Sequence, residues 1–225
     1  YDASVSNPNP NPGHAAVANQ QTTTLSLAID RYATLTISTW DPPGAGSFDD
    51  GFSNDALIAA TTSTEISSGA LVLSGSPGLY ALSGTARSND IVPQYLSTWT
   101  DASWTASTTG PVSATVRVYA WDGVAYALIS DDDLPGNSAG FLSPPVDLSA
   151  LSVATYPSIA LGSTLASSDP NYTPEIDAWL VSYIAGPTPH PNIAFNLRGS
   201  KAIGADAMGV PIYKVDSDET TDAVG

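Results

Sequence analysis

Apolar and polar residues alternate at a period of two along most of this chain, the signature of strands that turn one face to a core and the other to solvent. Leu25, Leu27 and Ile29 share one face, and Leu35, Ile37 and Thr39 another, so two strands are predicted between Ala15 and Trp40, broken near Asp30-Arg31. Asp41-Pro-Pro-Gly-Ala-Gly-Ser47 reads as a loop from its turn residues. Further strands are predicted at Ala56–Thr61, Ala70–Ser74, Gly78–Arg87, Tyr95–Trp104, Ala114–Trp121, Ala125–Ser130, Ser158–Leu165 and Ile176–Ile184. Asp, Gly, Pro and Ser fill the gaps between them. A helical period is nowhere sustained, and Asp147–Ser152 supports one short helical turn at most. The pattern predicts an all-β protein, an antiparallel jelly-roll-like β-sandwich.

Proline punctuates the two ends. Asn-Pro repeats before His14 block ladder donors and hold their neighbours extended, so residues 1–19 read as an arm, followed by the sandwich over 20–185. Gly186-Pro-Thr-Pro-His-Pro191 is a stiff spacer. Beyond it, Ile193, Phe195 and Leu197 alternate with polar residues, and Gly209–Val215 and Thr220–Gly225 read as further strand and turn. Residues 192–225 are therefore expected to be an incomplete C-terminal β unit. A small isolated hairpin is marginal in water, so its apolar face calls for a partner.

The 225 residues carry 22 acidic and six basic side chains, a formal charge of −16. A field of that sign repels nucleic acid and anionic headgroups, which argues against a nucleic-acid partner. Cysteine is absent, so there is no disulfide framework and no thiolate metal site. No stretch approaches the roughly 20 apolar residues of a membrane-spanning helix. Tyr1 at the start, without a charged leader or apolar run, fits a processed segment of a secreted or cell-surface protein.

Few residues combine into chemistry. Thr173-Pro-Glu-Ile-Asp-Ala-Trp-Leu180 resembles the catalytic strand of laminarinase-type glycoside hydrolases, in which Glu-x-Asp-x-x-Glu aligns carboxylates on one strand face. Glu175 and Asp177 match its first two positions, but Leu180 stands where the resemblance requires the proton donor, and a retaining mechanism needs two carboxyls about 5 Å apart. His14 and His190 lie in the Pro-rich arm and linker, where neither can be held as a base. No enzyme is expected.

Asp49-Asp50 is the leading candidate for a structural Ca2+, a hard cation that takes six to eight oxygens; Asp131-Asp132-Asp133 and Asp216, Asp218 and Glu219 are weaker acidic sets. No other cofactor is expected. Trp40, Trp104 and Trp121, near strand ends or a loop mouth, are the candidate platforms for a polysaccharide, because flat aromatic faces stack on sugar rings; Trp in a sandwich also serves as ordinary core. Asn171-Tyr-Thr173 is a glycosylation sequon and predicts an exposed loop.

Phe48-Asp-Asp-Gly-Phe52, Leu71-Val-Leu73, Gly84-Thr-Ala-Arg-Ser88, Trp104 with Val112–Val118, and above all Leu165-Ala-Ser-Ser-Asp169 with Thr173-Pro-Glu-Ile-Asp177 and Val181-Ser-Tyr183 together resemble the jelly-roll sandwich modules of large secreted bacterial proteins. That resemblance covers roughly residues 41–185 and implies a discoidin- or concanavalin-like fold of the carbohydrate-binding type. Asn192–Leu197, Gly209–Lys214 and Thr220-Thr-Asp-Ala-Val-Gly225 look like the start of a carboxypeptidase-regulatory-like, or Cna B-like, domain. Some members of that family join a Lys to an Asn; Lys201 and Lys214 are the only lysines here, without the partner strand, so that bond is not carried over.

Two functions are expected from this reading. One is a non-catalytic extracellular structural or adhesive protein, a filament or surface-assembly subunit that meets a protein partner or further copies of itself at sheet edges. The strand residues offered for that pairing are Leu25, Leu27, Ile29, Ile193, Phe195 and Leu197. The alternative is a carbohydrate-binding module of a larger secreted enzyme or adhesin.

Overall fold

The computed structural model describes residues 40–189, 191–198, 202–213 and 216–220. Leu25, Leu27, Ile29, His14 and His190, with the strands expected before Trp40, lie outside the described residues. Seventeen strands and no helix occur among those described. In chain order they are β1 (Trp40–Asp41), β2 (Gly44–Asp50), β3 (Ile58–Thr62), β4 (Thr64–Ser67), β5 (Ala70–Leu73), β6 (Ser83–Ser88), β7 (Leu96–Ser107), β8 (Val112–Trp121), β9 (Tyr126–Leu128) and β10 (Val146–Asp147). Then follow β11 (Ile159–Ser167), β12 (Glu175–Ala185), β13 (Thr188–Pro189), β14 (Ala194–Arg198), β15 (Ala202–Ala205), β16 (Pro211–Tyr213) and β17 (Asp216–Thr220). Contacts divide the chain into two units, Pro43–Gly186 on the one hand and Tyr1–Pro42 with Pro187–Gly225 on the other.

Pro43–Gly186 is a sandwich of two antiparallel sheets. One runs β10-β7-β12-β5-β4, with β2 also on β12; the other runs β3-β6-β11-β8-β9. Period-two alternation puts Ala114, Val116, Val118 and Ala120 of β8 on the inner face. They meet Trp99 and Trp104 of β7 and Trp179 and Val181 of β12, while Ile159, Leu161 and Leu165 of β11 extend the same core. Seven of the strands expected in this unit occur, β3, β5, β7, β8, β9, β11 and β12 lying within a few residues of their predicted places. Gly78–Arg87 is a correction: only Ser83–Ser88 is strand, because Gly75 and Gly78 adopt left-handed φ values of 126° and 85° in the preceding turn.

A second correction concerns residues 41–47. Gly44–Asp50 is a strand, not a loop, since its backbone pairs along β12 from Gly44↔Ala185 to Asp50↔Trp179. Tertiary pairing overrides weak local propensity here. The Tyr183 ring lies directly over Gly46, so a Cβ there would have to displace it. Across Asp147–Ser152 only Asp147 is strand, closing β10, and the rest is a turn rather than a helical turn.

In the other unit, β1 pairs with β13 through Trp40↔Pro189 and Asp41↔Thr188. Near the C-terminus two ladders are nested: β15 and β16 pair as a hairpin, and β14 and β17, which flank it in sequence, pair with each other. The hairpin tip is held by Asp206, whose carboxylate accepts from the Met208 and Val210 amides at 2.9 Å each, and by Gly209 at φ 80°.

Candidate functional site

The outer face of the β3-β6-β11-β8-β9 sheet carries both arginines of the sandwich, Arg87 and Arg117, beside Tyr119, Trp121 and Tyr126. Because the even-numbered residues of β8 point inward, Tyr119 and Trp121 point outward. The turn after Trp121 is built by Asp122, whose Oδ1 accepts from the Val124 and Ala125 amides at 2.8 Å each, with Gly123 at φ 100°. Those bonds hold the exposed Asp122 carboxyl below its usual range, the Ala125 amide contributing most. The turn returns the chain so that Tyr126 lies opposite Trp121, their ring centroids 5.4 Å apart and tilted by 56°.

The side chains of Arg87, on β6, and Tyr126, on β9, together span the intervening β11 and β8, so that the guanidinium carbon stands 3.9 Å from the Tyr126 ring centroid. Small residues, Ala160 and Gly162, occupy the intervening outward positions of β11, and Gly162 pairs with both Arg87 and Arg117. Tyr119 lies across Gly162 so closely that a Cβ there would stand 2.5 Å from its ring. Asp90 lies 3.5 Å from the Arg87 guanidinium. Partial burial, and then the hydrogen bond with Asp90, push the Tyr126 phenol up to about 12. Beside this cluster is a depression of about 210 Å³ lined by Thr62, Thr85, Arg87, Tyr119 and Gly162.

Of the three tryptophans offered as sugar platforms, Trp121 is 50% exposed on this face and Trp40, in the other unit, is 46% exposed. Trp104 is a correction: at 6% exposure it is core, stacked among inward side chains of the sheets, and only borders a cleft of about 310 Å³ lined also by Leu142 and Pro144. Arg87, Tyr126, Asp90 and Tyr119 had no place in the sequence expectation. The outward spacing of Tyr119 and Trp121 was a readable signal; the approach of Arg87 was not.

The Asp49-Asp50 pair does not converge. Successive strand residues face opposite sides, so Asp49 is exposed while Asp50 is buried, its Oδ1 accepting from the Phe52 amide at 2.9 Å. One ion cannot take both carboxylates from these positions. Asp131 instead accepts from the Ser138 hydroxyl and amide at 2.5 and 2.7 Å, and Asp133 accepts from the Tyr156 hydroxyl at 2.6 Å. Among the described residues no three His, Cys, Asp or Glu side chains gather as a metal set. Glu175 and Asp177 are both exposed. Asn171 is exposed, as the sequon predicts, its amide donating to Asp169 at 2.7 Å.

Ile193 and Phe195 are half-buried, Phe195 standing opposite Glu219 on β17; the side chain of Leu197 lies outside those described. The exposed apolar residues of this segment sit instead on and around the β15–β16 hairpin: Ile203, Met208, Val210 and Ile212. Among the described residues β15 and β16 pair only with each other, which leaves each with an outer edge. No helix among the described residues is long and apolar enough to cross a membrane.

Comparison of the chain with family models, with curated proteins and with solved structures found no match.

Proposed function

We propose that this chain is a non-catalytic extracellular structural and adhesive module that joins a second copy of itself through the β15–β16 hairpin. The observation that carries the reading is the combination of two outer strand edges with Ile203, Val210 and Ile212 each about half exposed or more on the same short hairpin. Two-stranded ribbons are marginal alone, and an added strand supplies both main-chain hydrogen bonds and cover for the side chains. Charge selects the contact. The sandwich, Pro43–Gly186, carries fourteen carboxylates against Arg87 and Arg117, whereas Pro187–Gly225 carries five against Arg198, Lys201 and Lys214. Two sandwiches repel each other more strongly than two C-terminal segments do. A jelly-roll-like order for the sandwich and a Cna B-like character for the C-terminal strands are compatible with this role. The absence of catalysis fits Leu180 in the third carboxylate place and the solvated positions of Glu175 and Asp177.

Light scattering of the full chain over a range of concentrations tests the reading. The apparent mass is expected to rise with concentration, and Ile203→Lys with Ile212→Lys to abolish the rise while leaving the unfolding transition of the sandwich in place. A chain that stays monomeric throughout, or a double variant that associates like the parent, overturns it.

A further inference from the structure

We infer that the outer face of the β3-β6-β11-β8-β9 sheet is a binding site for a neutral polysaccharide, with Trp121 as the stacking platform and the Arg87–Asp90 pair as the polar edge. This stands on the sandwich alone and is independent of the association through the C-terminal hairpin.

Sugar recognition needs a flat apolar face for the C–H side of a pyranose ring and, next to it, fixed donors and acceptors for its hydroxyls. Both are present on one surface. Trp121 is half exposed, yet Tyr126 packs against it, so its ring is held by a neighbour and not free to swing. Tyr126 is itself held by the Arg87 guanidinium on its face. Tyr119, two residues from Trp121 on the same outward stripe of β8, lines the depression together with Thr62, Thr85 and Arg87, and Trp121 stands outside it. That transition, from aromatic rings to hydroxyls and a guanidinium, matches the two sides of a sugar.

Size and charge narrow the ligand. About 210 Å³ is below the roughly 300 Å³ at which pockets for drug-sized ligands begin, and the depression lies open on a sheet rather than enclosed, which suits one or two residues of a long chain passing over it. Arg87 is already engaged by Asp90 and Tyr126, so it presents hydrogen-bond donors without an unbalanced positive charge. The surrounding sandwich, with fourteen carboxylates and two arginines, repels uronate or sulfated polymers. A neutral glycan meets no such repulsion. Tyr126, whose phenol proton is engaged by Asp90, adds a fixed hydroxyl acceptor to the same edge.

Affinity electrophoresis of the full chain through gels containing soluble neutral polysaccharides of glucose, xylose, mannose or galactose tests the site. Retardation by at least one of them is expected. Trp121→Ala should weaken it about tenfold or more, the scale of one lost aromatic stack, whereas Trp121→Phe should keep part of it and Trp40→Ala all of it. Thr62→Tyr supplies an independent check: Thr62 is exposed, so the fold tolerates the larger ring, which fills the depression and should abolish retardation. Mobility unchanged in every gel, retardation that Trp121→Ala and Thr62→Tyr leave intact, or binding confined to a lysine-rich peptide or to an anionic polysaccharide each overturns the assignment.

Discussion

The side chain of Asn137 pairs with the backbone of Val118 from both sides: its Oδ1 accepts from the Val118 amide at 2.8 Å and its Nδ2 donates to the Val118 carbonyl at 2.7 Å. The same Nδ2 donates to the Ile129 carbonyl at 2.8 Å. β9 covers the edge of β8 only from Tyr119 to Trp121, and Phe141 bridges to Val116 farther along. A fully buried side-chain amide thus imitates one residue of a neighbouring strand and keeps the edge of β8 satisfied between those two points.

Asn137→Ala should destabilise the sandwich by about 2–4 kcal/mol, because the buried Val118 amide and Ile129 carbonyl lose their partner at once, while the Val118 carbonyl keeps the Ile129 amide at 3.1 Å. Asn137→Asp should be worse at neutral pH, placing a carboxylate oxygen against two carbonyls, and should recover partly in acid as that oxygen takes a proton. Urea unfolding of both variants across the acid range measures this. Equal stability of Asn137→Ala and the parent would show that the imitation is unimportant.

Two tryptophans of equal burial are predicted to differ. Trp99 and Trp179 are both fully buried, but the Trp99 indole donates to the Tyr156 carbonyl at 2.8 Å while the Trp179 indole nitrogen has no partner among the described residues. Replacement by Phe strands an acceptor only in the first case. Trp99→Phe should therefore cost about 1–3 kcal/mol more than Trp179→Phe in chemical denaturation. The reverse order would contradict the bonding described.

Alkaline stability should depend on Tyr126. Its phenol is raised from 10.0 in the unfolded chain to about 12, by burial first and the Asp90 hydrogen bond second. The folded state then favours the protonated form, so the associated stability is fully present below pH 10 and is lost as pH rises from 10 through about 12. Tyr156 shifts the same way through its bond to Asp133. Tyr126→Phe should flatten the decline of stability over that interval, leaving only the share due to Tyr156. Parallel declines in variant and parent would rule out Tyr126 as a contributor.

Association through the C-terminal hairpin should strengthen with salt. Each copy carries a formal charge of −16, and repulsion between copies is screened over about 8 Å at physiological ionic strength while burial of Ile203, Val210 and Ile212 is not weakened. Sedimentation at low and moderate salt distinguishes this from a contact made of ion pairs, which would loosen as salt rises.

Strand existence was legible because alternation is local: Val116 and Val118 inward with Arg117 and Tyr119 outward follows from the pleat alone. The acidic charge, the lack of cysteine and the exposure of Asn171 needed no neighbour either. Pairing decided the rest. Gly44–Asp50 is a strand because β12 offers it a ladder, Trp104 is core because the sheets close over it, and Asp49 and Asp50 diverge because that strand is pleated. Arg87 meets Tyr126 only because β11 and β8 lie between their strands with small residues facing outward, an arrangement set by sheet order, which side-chain periodicity along one strand does not encode.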